Sequence, residues 1–140
     1  PLPVYVPPRE SPDSSPDLAH SFPIQLLSPA ANSFLNSSFS HLKSFVKAEN
    51  QPIIEISRED ADHRGIADKE TVRVFNLRGE CLLVAKISSR VRPGVAVAPS
   101  TWWNKLSPRG SNVNVTTSQE LTDLGGGACF YDNLVEVAKL

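Results

Sequence analysis

The side chains of this chain that offer chemistry are hydroxyls and carboxamides rather than acid–base machinery. Asn36-Ser37-Ser38 stands just before an expected short helix. There its hydroxyls, together with the free N–H groups of a helix start, suit a pyrophosphate; plain helix capping is the other reading. Ser28 ends an apolar run at the Ser28-Pro29 stop, as a donor to a ligand or as a turn serine. Asn114 and Thr117 flank a polar loop, where a carboxamide's acceptor and paired donors match a heterocycle edge. Ser100 opens a long loop and joins this set. Asp123, just before Gly125-Gly126-Gly127, is a further candidate or a turn acid. Of Trp102 and Trp103, one ring can cover a flat ligand by stacking, and Trp103 is expected to be that ring. The alternative is that one ring fills the core and the other meets another domain.

Catalytic and metal constellations are not expected. His20, His41 and His63 lie apart in sequence with no spacing that suggests a triad. Glu59, Asp60 and Asp62 sit at an expected helix start and read as a solvated acidic face. Cys81 and Cys129 have no CxxC partner and no Cys/His ligand spacing. They read as two buried free thiols, with a disulfide as the other reading.

The elements that must position these residues follow from composition and pattern. The 140 residues suffice for one domain with a core; 40% are hydrophobic and 21% charged, ordinary for a globular domain. A formal net charge of −1 argues against a protein that wraps nucleic acid. No apolar run is long enough to cross a membrane, and no signal peptide is visible. The chain has no methionine and begins at Pro1, so a piece of a longer polypeptide is expected. Residues 1–21 carry many prolines and should be an extended connector. Strands are expected at Phe22 to Leu27, Ile53 to Ile56, Thr71 to Asn76, Cys81 to Ile87, Val95 to Ala98 and around Leu134 to Val137. Phe39, Leu42 and Val46 share one face of a short helix. Ser57-Arg58-Glu59-Asp60 opens another, which Gly65 stops. Leu77-Arg78-Gly79-Glu80 is read as a hairpin turn only.

Read in order, several segments form a set. Leu26-Leu27-Ser28-Pro29 precedes Leu35-Asn36-Ser37-Ser38-Phe39, then Ile56-Ser57-Arg58-Glu59-Asp60-Ala61 and Arg64-Gly65-Ile66. Val91-Arg92-Pro93-Gly94-Val95 precedes Pro99-Ser100-Thr101-Trp102-Trp103; Asn114-Val115-Thr116-Thr117 and Leu121-Thr122-Asp123-Leu124-Gly125-Gly126-Gly127 follow. This order resembles the molybdopterin dinucleotide-binding, C-terminal domain of the dimethyl sulfoxide reductase family, which includes formate dehydrogenases and nitrate reductases. The resemblance implies a mainly β fold, a double-psi β-barrel with two or three short helices over residues 22–140. It implies one domain of a cytoplasmic molybdenum or tungsten oxidoreductase. That domain would hold molybdopterin guanine dinucleotide (bis-MGD in the full enzyme) through Ser28, Asn36, Ser37, Ser38, Ser100, Trp103, Asn114, Thr117 and Asp123.

The expected partners are the remaining domains of the same catalytic subunit, not nucleic acid or membrane. Alone, the domain is expected to be inactive, to lack the cofactor and to self-associate through its exposed face. The competing reading is a double-psi barrel that serves as a protein-interaction module, or a separate subunit that completes a partner's cofactor site. Convergence discriminates: a docking module has no need of Asn36-Ser37-Ser38, Ser100 and Asn114 around one groove.

Overall fold

The computed structural model describes residue 2, residues 4–100 and residues 102–140. Pro1 and Pro3 of the expected connector, and Thr101 of the Pro99–Trp103 segment, lie outside the described residues. Among the described residues, six strands close a barrel in the order β1-β5-β2-β4-β3-β6. They are β1 (Ile24–Leu27), β2 (Ile53–Ile56), β3 (Thr71–Phe75), β4 (Glu80–Ile87), β5 (Val95–Val97) and β6 (Leu134–Lys139). β1 runs parallel to β5 and β2 parallel to β4; the other neighbours are antiparallel. The fold is a double-psi β-barrel, mainly β with short helices.

Strand pleat decides what fills the barrel. Successive side chains point to opposite faces, so Ile24 and Leu26, Ile54 and Ile56, and Val72 and Val74 all face inward. They meet Leu83, Val135 and Val137 in one continuous core, with Ala85, Ala96 and Ala98 where backbones crowd. Each buried Val, Leu or Ile contributes on the order of 1.5–3 kcal/mol. Cys81, Leu82 and Leu83 are buried in succession, so β4 is covered on both faces. Burial pushes the Cys81 thiol up to about 12, with the neighbouring Glu80 charge adding to the rise. Cys129 is also a free thiol but only half-buried, which corrects the expectation of two buried ones.

The helices are α1 (Pro16–Ser21), α2 (Lys43–Glu49) and α3 (Arg58–His63). α1 lies inside the segment expected to be extended. Pro16 supplies the preset φ of a first helical turn, and Phe22 anchors the exit by meeting Phe75 edge-on at 6.1 Å. The first strand begins at Ile24, after Pro23, not at Phe22. α2 begins later than the Phe39–Leu42–Val46 pattern predicts, because Phe39 takes a left-handed φ of 69° that a helix does not admit.

α3 starts as expected. Ser57 Oγ accepts the Asp60 N–H at 3.0 Å and donates to the Asp60 carboxylate at 2.7 Å. Asp60 is not on a solvated face, however. It is buried, accepts the Gly94 N–H at 2.9 Å, and sits 3.5 Å from Arg64. Glu59 and Asp62 remain exposed.

Candidate functional site

The site is built at one end of the barrel. Because β1 and β5 are parallel, both chains leave the barrel at the same end, with Leu27 opposite Val97. The pairing continues past the strands as a parallel bridge between Ala30 and Ser100. Ser28 and Ser100 therefore meet although they are distant in sequence. Ser100 N–H donates to the Pro29 carbonyl at 2.8 Å, and its hydroxyl reaches the Ser28 carbonyl at 3.2 Å.

The facing wall is the 3₁₀ turn Val113–Thr116 and the loop after it. Asn112 caps the turn by accepting the Asn114 N–H at 3.0 Å. Thr116 is fully buried and ties the wall to the barrel. Its hydroxyl donates to the Val113 carbonyl at 2.8 Å and accepts from the Asn133 carboxamide at 2.9 Å. Its carbonyl accepts from Asn76 at 2.8 Å and from Arg78 Nε at 2.7 Å. Asn76 and Arg78 also donate to Asn133 Oδ1, at 3.1 and 3.2 Å. Gly79 permits this approach: a Cβ there would stand 3.0 Å from the Val115 carbonyl oxygen. The Arg78–Glu80 segment is thus more than a hairpin turn, since Arg78 is a strut under the wall.

Between the two lies a groove of about 570 Å³ lined by Ser28, Asn36, Ser100, Asn114 and Thr117 among others. Five of the residues singled out in the sequence are thereby brought together. Among the described residues, the carboxamides of Asn36 and Asn114 and the hydroxyls of Ser28 and Thr117 make no hydrogen bond within the chain. They are free to address a ligand. Ala30, residues 118–121, Ala128, Phe130 and Tyr131 complete the lining and are not among the site residues expected from the sequence. Leu121, Phe130 and Tyr131 are exposed and give the groove an apolar edge. The signal for this wall was the polar composition of the segment after Thr116, which does not say which side chains turn inward.

Four expected residues do not line the groove. Ser37 and Ser38 stand beside Asn36 in a tight turn in which Leu35 and Ser38 exchange backbone bonds. They do not cap α2, whose N-cap is Leu42 with no side-chain cap bond, and so the expected helix-start phosphate site is absent there. Asp123 is the turn acid of the alternative reading, accepting the Leu124 N–H at 2.9 Å. Trp103 is engaged elsewhere: its Nε1 donates to the Ser37 carbonyl at 2.7 Å, and its ring stacks with His41 and lies 4.3 Å from Lys105 Nζ. Trp102 is buried edge-on against Phe34, at 5.1 Å, in a second small core.

Chemically the groove is neutral and amide-rich. Glu120 lines it but is paired with Arg9 at 2.5 Å, and no lysine, arginine or histidine is among the lining residues. Such a surface recognises the edges of a heterocycle and the oxygens of a sugar or phosphate through hydrogen bonds.

Comparison with known proteins bears on the family and the fold. Residues 24–134 match the family described as Molydopterin dinucleotide binding domain. The chain is 38% identical over 109 residues to the probable oxidoreductase YoaE of Bacillus subtilis (strain 168), covering 78% of this chain and 16% of that protein. It is 34% identical over 144 residues to the dimethyl sulfoxide reductase DmsA of Escherichia coli (strain K12), covering 100% of this chain and 17% of that one. The chain therefore spans about a sixth of the length of these curated relatives. In fold it is similar to acetylene hydratase from Pelobacter acetylenicus, with a TM-score of 0.85 at 21% identity over 99% of this chain and 21% of that one. The barrel, the family match across most of its length and these relatives converge on one assignment: the chain belongs to the molybdopterin dinucleotide-binding domain family.

Proposed function

We propose that this chain is the cofactor-binding domain of a larger molybdenum or tungsten oxidoreductase, and that its groove holds the dinucleotide part of a molybdopterin guanine dinucleotide. One observation carries the reading: Ser28, Asn36, Ser100, Asn114 and Thr117, from four separate stretches of sequence, line one groove. The donor set fits the group. The carboxamides of Asn36 and Asn114 suit the guanine or pterin edge, the hydroxyls of Ser28 and Thr117 suit ribose and phosphate oxygens, and the Ser100 oxygen, whose proton goes to the Ser28 carbonyl, can accept from a ribose hydroxyl. When bound, the cofactor supplies the metal and the redox chemistry; the chain's own residues bind and orient it.

The apolar edge at Leu121, Phe130 and Tyr131 then packs on the remaining domains of the same subunit, and in their absence favours self-association. In the isolated domain the intact cofactor is absent, because part of its contacts belong to those domains, while the groove by itself still binds the guanine nucleotide half weakly. The parent enzyme carries two such dinucleotides and works in the cytoplasm. No described helix is long and apolar enough to cross a membrane.

Titration of the chain with GDP, which carries the guanosine and pyrophosphate, tests the site. Asn114→Ala and Thr117→Ala should each weaken binding by roughly two- to tenfold, the worth of one lost hydrogen bond. Binding indifferent to both substitutions would remove the groove from consideration, and no binding at all to the wild-type chain would count against the cofactor reading itself.

A further inference from the structure

The segment that leads into the barrel is folded against the groove. Ser14 and Ser15 turn their hydroxyls onto the Arg9 carbonyl at 2.9 and 2.7 Å, and the Ser15 N–H closes on the Ser11 carbonyl at 2.9 Å. This compact turn presents two adjacent charges to the barrel. The Glu10 carboxylate receives both Arg78 terminal nitrogens, at 2.5 and 2.9 Å, and the Leu134 N–H at 3.3 Å. Arg78 in turn holds the Thr116 carbonyl and Asn133. Arg9 binds Glu120 through its guanidinium at 2.5 Å and Asp132 through its backbone N–H at 3.0 Å. Glu120 is itself a groove-lining residue. Two neighbouring residues outside the barrel thus hold the wall that carries Asn114 and Thr117 at two points, Glu10 at Thr116 through Arg78 and Arg9 at Glu120 directly.

We infer that Arg9 and Glu10 are positioning residues of the groove: the polypeptide entering the domain sets the geometry of the wall formed by residues 113–121. The inference rests on the groove reading above and extends it, since a shift in the preceding segment would reach the ligand through Glu10, Arg78 and Thr116. Physically the wall needs such a tie. Among the described residues it joins no strand of the barrel: its pairing is the isolated antiparallel bridge of Leu121 with Ala128, and its regular structure is one 3₁₀ turn closed by the Val115 and Thr117 amides on Asn112 and Asn114. A bidentate carboxylate–guanidinium pair fixes direction as well as distance, which a solvated arginine does not.

The test is hydrogen exchange, resolved by peptide, on the full chain and on Glu10→Gln, with GDP titration alongside. Glu10→Gln should speed exchange across residues 113–118 by about tenfold while β2 and β4 keep wild-type protection, and should weaken GDP binding severalfold. Glu10→Asp, which keeps the carboxylate, should restore most of the protection. Should Glu10→Gln fail to fold, Arg9→Gln stands in for it, because the Arg9–Glu120 pair is exposed and its loss spares the core; faster exchange over residues 118–121 is then expected. Unchanged exchange in the wall, or acceleration spread equally over all strands, overturns the inference. A wild-type chain that binds no GDP while Glu10→Gln still loosens the wall overturns the cofactor reading and leaves the clamp standing.

Discussion

Asn133→Ala should be among the most damaging substitutions outside the apolar core. Asn133 is fully buried just before the last strand. Its amide donates to Thr116 Oγ1 at 2.9 Å, and its carbonyl oxygen accepts from Asn76 at 3.1 Å and Arg78 at 3.2 Å. Two of these bonds are neutral, worth about 0.5–1.5 kcal/mol each, and one is to a charged group, worth about 1.5–3 kcal/mol. The partners are not all orphaned. Asn76 retains the Thr116 and Leu134 carbonyls, and Arg78 retains Glu10 and the Thr116 carbonyl. The discounted sum is about 3 kcal/mol, a large share of the roughly 5–15 kcal/mol that stabilises a domain. Urea unfolding should show that loss as a lower midpoint with unchanged slope. In a thermal scan the midpoint should fall by about 10 °C. The exposed groove residue Asn114 provides the contrast, since Asn114→Ala should stay within about 0.5 kcal/mol of wild type. An Asn133→Ala chain as stable as the Asn114→Ala chain would refute the claim that this network carries the wall.

Other expectations follow from single contacts. A thiol reagent such as DTNB should label Cys129 promptly in the native chain and Cys81 only on unfolding, since the buried Cys81 stays a thiol. The sign of the linked pH effect is set by the same burial. The unfolded thiol ionises near 8.5, whereas the folded one holds its proton to about 12, so stability should decline as pH rises between these values, and Cys81→Ser should flatten that decline in chemical denaturation. Gly79→Ala should cost about 1–3 kcal/mol, because its Cβ would sit 3.0 Å from the Val115 carbonyl oxygen and 3.2 Å from the Val115 Cβ. Ser57→Ala should cost about 1–2 kcal/mol through loss of the α3 cap, read from the same unfolding curves.

Much of the barrel was legible because its signals are local. Strand alternation at Ile53–Ile56 and Thr71–Phe75, the cap at Ser57 and the stop at Gly65 each depend on a few neighbouring residues, and the structure keeps all of them. The misplaced pieces share a different cause. Phe39 adopts a left-handed backbone that its type does not announce, so the apolar spacing from Phe39 to Val46 suggested a helix that starts too early. Asp60 looked like surface charge because its partner Gly94 comes from a turn 34 positions away. The proline-rich lead-in read as an extended connector, yet serine hydroxyls fold it into a turn whose value appears only against Arg78.

The groove divides in the same way. Residue type alone marked Ser28, Asn36, Ser100, Asn114 and Thr117 as groups able to address a heterocycle or a phosphate, and the ordered set of segments pointed to the family. Only the closed barrel decided that these five line one groove while Ser37, Ser38, Trp103 and Asp123 do not. The reason is geometric. A hydrogen-bonding side chain declares what it can bind, but the direction in which it points is set by strand order, by the parallel register of β1 on β5, and by the Asn76–Thr116–Asn133–Arg78 contacts that hold in place a loop outside the barrel strands.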